Sequence, residues 1–281
     1  MTQVIRNISD TARWAAVFRA NETRRPDALF RDPYAARLAG ERGEEIAGAM
    51  PMHQRYSWAW VMRTYIADQY ITEQIAAGVD MVVNLAAGLD SRPYRMQLPP
   101  NLRWIEVDLP ELMDYKDETL AGETPACRLE RVRMDLGELR PRRALFDRLG
   151  FESQKALVIT EGLLIYLSPE EVGSLADDLA RPRAFQLWIA DVVSPGLREM
   201  MSKNEGQQLV AAGAPFKFAP PEGPDFFLSH GWHPKTVRST FRTAAQVKRL
   251  PLLLRLLALL PDKKGPPGKR PWSGICLFEK T

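Results

Sequence analysis

The chain has 281 residues, 45% hydrophobic and 26% charged, with 38 basic and 35 acidic side chains and a net charge of +3. At about 150 residues per domain this is two domains or one large α/β domain with additions, and the balance excludes a disordered tail, a collagen-like repeat and a membrane bundle. The charge is too slight for a nucleic-acid binder, and the two cysteines, Cys127 and Cys276, read as neither a disulfide framework nor a zinc site. No apolar run precedes the first charge, so no secretory signal is expected. The longest apolar stretch, 250–260, is interrupted by Pro251 and Arg255 and falls short of the roughly 20 residues of a span. It reads as a buried or lid-forming helix without stable membrane insertion, and the expected compartment is the cytoplasm.

In chain order, residues 9–20 predict a helix, with Ser9 as N-cap and Ala12, Ala15, Ala16 and Arg19 at helical spacing. Arg24-Arg25-Pro26-Asp27 breaks it, and Asp32-Pro33 is expected to cap a second, short helix with proline at its first position. A long amphipathic helix follows over about 53–77, ending at Gly78. Nothing in 1–78 reads as a strand, so this part is expected to be a helical extension or lid.

The period then changes. Short apolar runs at 81–85, 102–107, 129–134, 156–160 and 185–190 have strand length and β-branched or aromatic content, and most end in a small or polar residue. Helices lie between them; at 168–179, Ser168-Pro169-Glu170-Glu171 supplies an N-cap, an N1 proline and an acidic first turn. Alternation of this kind predicts an α/β fold with a doubly wound, mostly parallel sheet over 79–281, closed by an antiparallel strand at 272–280. Ligands in such sheets sit at the C-terminal strand ends near the topological switch, so the residues just after each run are the site candidates.

Ala86-Ala87-Gly88 follows the first run, and Asp108 lies 20 positions beyond Gly88 at the end of the second. That spacing matches a glycine turn followed by a carboxylate on ribose hydroxyls. A tight turn with a solvated aspartate has the same spacing. The full G-x-G-x-x-G is absent, and an acidic ribose partner opposes a 2′-phosphate, which favours a ligand with ribose and no pyrophosphate. Asp135 and Leu136 follow the third run, where a carboxylate suits an adenine amine and a leucine its ring. Glu161 follows the fourth, either at a site or as a helix cap. Arg63, on the helix before the first strand, either clamps a carboxylate or is solvated.

Five ordered motifs then carry a resemblance. Val82-Val83-Asn84-Leu85-Ala86-Ala87-Gly88-Leu89-Asp90-Ser91-Arg92 resembles the V-N-L-G-A-G-L-D-T-R cofactor loop of the leucine carboxyl methyltransferase-like family. Trp104-Ile105-Glu106-Val107-Asp108-Leu109-Pro110 is similar to its second motif, and Glu161-Gly162-Leu163-Leu164-Ile165-Tyr166-Leu167 to its E-G-L-x-x-Y-L. Arg24-Arg25-Pro26-Asp27 with Asp32-Pro33-Tyr34-Ala35 resembles the N-terminal signature, and Leu228-Ser229-His230-Gly231-Trp232 the late L-x-x-x-G-W segment. The likeness runs over roughly 18–240.

The resemblance implies a seven-stranded, Rossmann-like class I methyltransferase fold and an S-adenosylmethionine-dependent O-methyltransferase acting on a carboxylate or hydroxyl of a small molecule, for example in a polyketide or other secondary pathway. It implies that the backbone of Ala86, Ala87 and Gly88 holds the methionine part of the cofactor and that Arg63 pairs with its carboxylate. Asp108, with Leu109 in the same motif, matches the ribose ligand, Asp135 and Leu136 the adenine contacts, and Glu161 a residue beside the methionine moiety. Ala86 stands where the family has its first glycine, which is tolerable at negative φ.

No catalytic base is assigned. A carboxylate acceptor is already ionised at pH 7, whereas a hydroxyl needs a base. Tyr166 is either an acceptor-site residue or a structural phenol, and His230 and His233 have metal-like spacing without an acidic partner. The acceptor pocket is expected from the helical extension, with Tyr56, Trp58 and Trp60, and from a covering insertion over about 196–234, with aromatic stripes at Phe216, Phe218, Phe226 and Phe227. Two other classes stay open: a nicotinamide-dependent oxidoreductase, lacking here the glycine fingerprint and a Y-x-x-x-K, and a non-catalytic cofactor-binding scaffold. A serine hydrolase is disfavoured because no G-x-S-x-G occurs. Lys263-Lys264 and Lys269-Arg270 surround Gly265-Pro266-Pro267-Gly268 and read as a flexible connector.

Overall fold

The structure, a computed structural model, describes residues 5–50, 53–260 and 265–281. Helices α1 (Ile8–Thr23), α2 (Ala35–Ala49) and α3 (His53–Ala76) come first, followed by β1 (Met81–Leu85), α4 (Arg92–Arg95), β2 (Arg103–Asp108), α5 (Pro110–Thr119), β3 (Arg128–Arg133) and α6 (Leu139–Phe151). Then come β4 (Ala156–Thr160), α7 (Pro169–Ala180), β5 (Phe185–Val193), α8 (Pro195–Ala211), β6 (Trp232–Ser239), α9 (Thr240–Gln246), α10 (Leu252–Leu257) and β7 (Ser273–Lys280).

The seven strands are ordered β3-β2-β1-β4-β5-β7-β6. The first five are parallel, and β7 inserts antiparallel between β5 and β6. Chain order reverses between β1 and β4, which makes the gap beyond their C-terminal ends the switch point. Both faces are covered, as a parallel sheet requires. Met81, Val83 and Leu85 pack with Leu145 and Phe146 of α6 and Val172 and Leu175 of α7. Val82, between them, packs with Met62, Ile66 and Tyr70 of α3, the two-residue alternation of a strand. A third core joins α1 and α2 to Leu89, Leu112 and Leu209, seating the helical extension over the strand ends.

Several local expectations shift. Asn7, not Ser9, caps α1, its side chain accepting the Asp10 N–H at 3.2 Å. Helix α2 begins after Tyr34, with Asp32 accepting the Tyr34 N–H at 3.2 Å, so Pro33 lies just outside it. Ser168 forms a full capping box with Glu171. Strand β6 was not legible, because it exposes His233, Lys235, Thr236 and Val237 and contains Pro234; it is a sheet edge, where charged residues and proline are tolerated. The expected insertion over 196–234 therefore ends inside the sheet. Beyond Leu250, which is buried, the stretch 250–260 is neither buried nor a roof: α10 spans only Leu252–Leu257 and buries none of its residues. Lys263 and Lys264 lie outside the described residues. Among the described residues, no helix is long and apolar enough to cross a membrane.

Candidate active site

Strand β1 delivers the chain into a loop that only a tight turn can accommodate. Ala86 has φ +51 and Gly88 φ +52. The condition under which alanine was expected to be tolerated at 86, a negative φ, is not met: the residue lies in the left-handed region, at a cost of roughly 1–2 kcal/mol for a non-glycine residue. At Gly88 a Cβ would lie 3.4 Å from the Ala12 Cβ of α1. The turn is tied to β2 by two bonds, and the second oxygen of Asp108 is held by its own neighbour. Ala87 N–H donates to the Val107 carbonyl at 3.2 Å; Gly88 N–H donates to Asp108 Oδ2 at 2.6 Å and Leu109 N–H to Oδ1 at 2.7 Å. Burial raises the Asp108 carboxyl above its ordinary range, and the Gly88 and Leu109 N–H groups pull back against it.

Behind the loop lies a buried guanidinium. Arg92, at the start of α4, is 3% exposed. It donates to Asp68 at 2.7 Å, to Asp90 at 2.6 Å and to Glu161 Oε2 at 2.7 Å. Arg95 adds two bonds to Asp68 at 2.8 Å, and Asn84 Nδ2 donates to Asp90 at 2.9 Å. Arg63 reaches the other oxygen of Glu161 at 3.1 Å, lies 3.8 Å from Asp191 and covers the Trp60 ring at 4.6 Å. Gly162 has φ +73, and a Cβ there would come within 2.9 Å of Arg63 Nη1, so glycine lets the arginine pass.

These contacts push neighbouring carboxyls apart. For Glu161, burial acts upward, but Arg92 and Arg63 outweigh it and hold the carboxyl below its ordinary value. Asp90 follows the same pattern: burial acts upward, and Arg92, Lys116, Arg95 and Arg19 together hold the carboxyl well below its ordinary value. For Asp191, burial prevails over Arg63 and the Gly162 N–H, and the carboxyl is raised.

In front of these groups opens a cavity of about 370 Å³ over the β1, β2 and β4 ends. Arg63, Ala86, Ala87, Gly88, Asp108, Glu161 and Tyr166 all line it. Leu109, Asp135 and Leu136 do not. Leu109 points its N–H at Asp108, and Asp135, exposed at the end of β3, accepts the Gly137 N–H at 2.8 Å. Ser9, Thr11, Ala12, Ala15 and Arg19 of α1 and Gly213 and Ala214 beyond α8 complete the wall. Arg19 locks α1 down by donating to Asp32 at 2.8 Å and to the Leu89 carbonyl at 2.6 Å.

Of the expected aromatic pocket, Trp60 lines the cavity, stacked on Phe18 at 4.9 Å. Trp58 instead packs edge-on to Phe241 at 6.0 Å, and Phe218 and Phe227 are buried in the sheet core. Phe216 packs against Tyr166 at 5.7 Å. His230 bonds Asp177 at 2.7 Å at an exposed site by α7, and among the described residues no cluster suits a metal. Sequence reasoning gave no role to Arg92, Asp90, Asn84 or Asp68. The available signal was Asp90-Ser91-Arg92 itself, two opposite charges in the loop that follows a central strand.

The sequence profile of the leucine carboxyl methyltransferase family matches residues 12–180. A candidate S-adenosyl-L-methionine-dependent methyltransferase of Mycobacteroides abscessus is 35% identical over 188 residues, 62% of this chain and 61% of that protein. The match thus spans less than two thirds of that relative. One of Parafrankia is 32% identical over 260 residues, 87% of this chain and 82% of its own. A DUF574 family protein of Streptomyces avermitilis has the same fold, with a TM-score of 0.62 at 12% identity over 96% of this chain and 97% of that one.

Proposed function

The chain belongs to the leucine carboxyl methyltransferase family of S-adenosylmethionine-dependent methyltransferases, and from that premise we propose that it methylates an oxygen, carboxylate or hydroxyl, of a small molecule. The observation that carries this reading is the cavity at the β1/β4 switch, where Arg63, Asp108, Glu161 and the 86–88 turn stand together.

The donor set suits the cofactor. Each Asp108 oxygen accepts one N–H and keeps a lone pair, which fits the two vicinal hydroxyls of a ribose. Glu161, held ionised between two arginines, suits an ammonium, and Arg63 lies beside it for a carboxylate. The positive φ at Gly88 brings bare backbone to the cavity wall. Asp135 and Leu136, one strand farther out, would serve a ring extending past β2.

When bound, S-adenosylmethionine supplies an electrophilic methyl group whose sulfonium is its own leaving group. The protein's task is to hold an acceptor oxygen about 3–3.5 Å away and in line and to keep water out. Thr11, Trp60 and Tyr166 line the space for an acceptor, and α1 with Ala214 covers it. On this reading the 1–78 extension and the segment after α8 act as the lid. Glu161, depressed by its arginines, is a weak base, which favours an acceptor that arrives ionised.

Incubation with methyl-labelled S-adenosylmethionine and matched panels of carboxylates and phenols tests the proposal. A carboxylate product with a rate flat above the acceptor's own pKa is expected. A rate that climbs through neutrality points to a hydroxyl acceptor, and cofactor binding without transfer to either panel would favour a scaffold.

A further inference from the structure

The segment leading back to β7 differs from the rest of the surface. Leu252, Leu253, Leu256, Leu257, Leu259 and Leu260 are 50–79% exposed. Scattered exposed leucines need no explanation, but six within nine residues make one contiguous apolar patch, which on a soluble domain marks a contact surface. The patch is held in place. Leu250 and Leu254 anchor it in the core beneath α3. Arg249 pairs with Glu22 at 2.7 Å and Asp27 at 2.8 Å, and Arg242 Nη2 donates to the Leu260 carbonyl at 2.6 Å.

The segment that carries it is basic, and the carboxylates beside it, Glu22 and Asp27, are paired with Arg249. Residues 248–270 contain seven basic side chains and one acidic, although the whole chain is only +3, so the remainder is net acidic. Exposed Lys248, Lys269 and Arg270, and half-buried Arg255, have no carboxylate partner within ion-pair distance among the described residues.

We propose that this leucine patch is a reversible docking surface for a bilayer rich in anionic lipid. Leucines entering the boundary between headgroups and acyl chains, with unpaired lysines and arginines at headgroup level, are the two components of interfacial binding. The stretch is too short to span a membrane, so docking is peripheral. Helix α9, which leads to α10, begins where Thr240 meets Ser273, and Ser273 pairs with Val193 at the C-terminal end of β5. The patch therefore hangs from the sheet edge that also carries the cavity.

The full chain is sedimented with vesicles of phosphatidylcholine alone or with about a third phosphatidylglycerol, at low and high salt. Two variants accompany it, Leu253→Glu/Leu257→Glu and Lys248→Glu/Lys269→Glu, with thermal melting to confirm that both fold. Binding to the anionic vesicles alone is expected, weakened by salt and reduced about tenfold or more in each variant. Equal binding to neutral vesicles, or undiminished binding by the leucine variant, overturns the proposal. So does a wild-type dimer that ignores vesicles and becomes monomeric in the leucine variant, which would make the patch a self-interface.

Discussion

Two buried ion networks lie on either side of β2, built from the same kinds of group. Around Glu106, fully buried Lys116 approaches one oxygen at 2.8 Å and Arg131, its cross-strand neighbour on β3, the other at 2.9 Å. Arg131 also reaches Asp117 and donates to the Tyr94 hydroxyl. None of these ionic groups lines the cavity. Around Arg92, by contrast, Glu161, Asp90 and Arg63 are at once network members and cavity wall. Neighbouring carboxyls there are driven in opposite directions, Glu161 down and Asp191 up. Divergence of that kind between adjacent groups makes the open network the candidate site; the closed network braces β2 against α5 and β3.

The comparison can be broken most forcefully at the hubs. Arg92→Met leaves Asp68, Asp90 and Glu161 without their shared cation and is expected to cost about 3–5 kcal/mol in urea unfolding, together with cofactor affinity. Glu106→Gln is expected to lose stability on the same scale while the folded protein keeps its cofactor affinity within about twofold. Equal loss of affinity in both would erase the distinction.

Asp108→Asn tests the open side alone. It keeps an acceptor for one N–H but removes a charged partner, so cofactor affinity is expected to fall by about 1.5–3 kcal/mol, some 10- to 100-fold in calorimetry, while the N–H left without an acceptor costs about 1–3 kcal/mol of stability.

A smaller effect concerns pH. Because the Glu161 carboxyl is held below its ordinary value of 4.5, its ionised form contributes stability above pH 4.5 and loses it as pH falls through the depressed value. The stability gap between wild type and Glu161→Gln should therefore hold steady above about pH 5 and narrow as urea titrations move from there toward pH 3; a constant gap down to pH 3 would detach Glu161 from its arginines. Smallest is Ala86→Gly, expected to stabilise by about 1 kcal/mol through relief of the positive φ. A neutral or negative result would mean that the loop relaxes around alanine.

Much of this was legible in the residues. Strands β1 and β4 fall where their apolar runs end, and Gly78, with φ +90, terminates the α3 pattern. Periodicity carries such elements because each buries a face. Gly88, Asp108 and Glu161, which line the cavity, were legible from their places after strands, whereas Arg63, on the helix before β1, stood out only through the family resemblance. The Arg92 network was not, because a buried arginine looks in sequence like a solvated one until its three carboxylates are brought from α3, the 86–91 loop and the end of β4. The leucines of α10 misled for the converse reason: composition alone does not say which apolar stretch finds a core. Asp135 and Leu136 lie beyond the cavity wall because the third strand ends one step farther from the switch point.

The central claim, that the open network holds a sulfonium nucleoside, is tested most directly by calorimetric titration of wild type and Asp108→Ala with S-adenosylmethionine and, separately, with NADH. Binding of S-adenosylmethionine alone, lost or much weakened in Asp108→Ala, is the predicted result. Binding of NADH alone, or S-adenosylmethionine binding that ignores the Asp108 substitution, would contradict it.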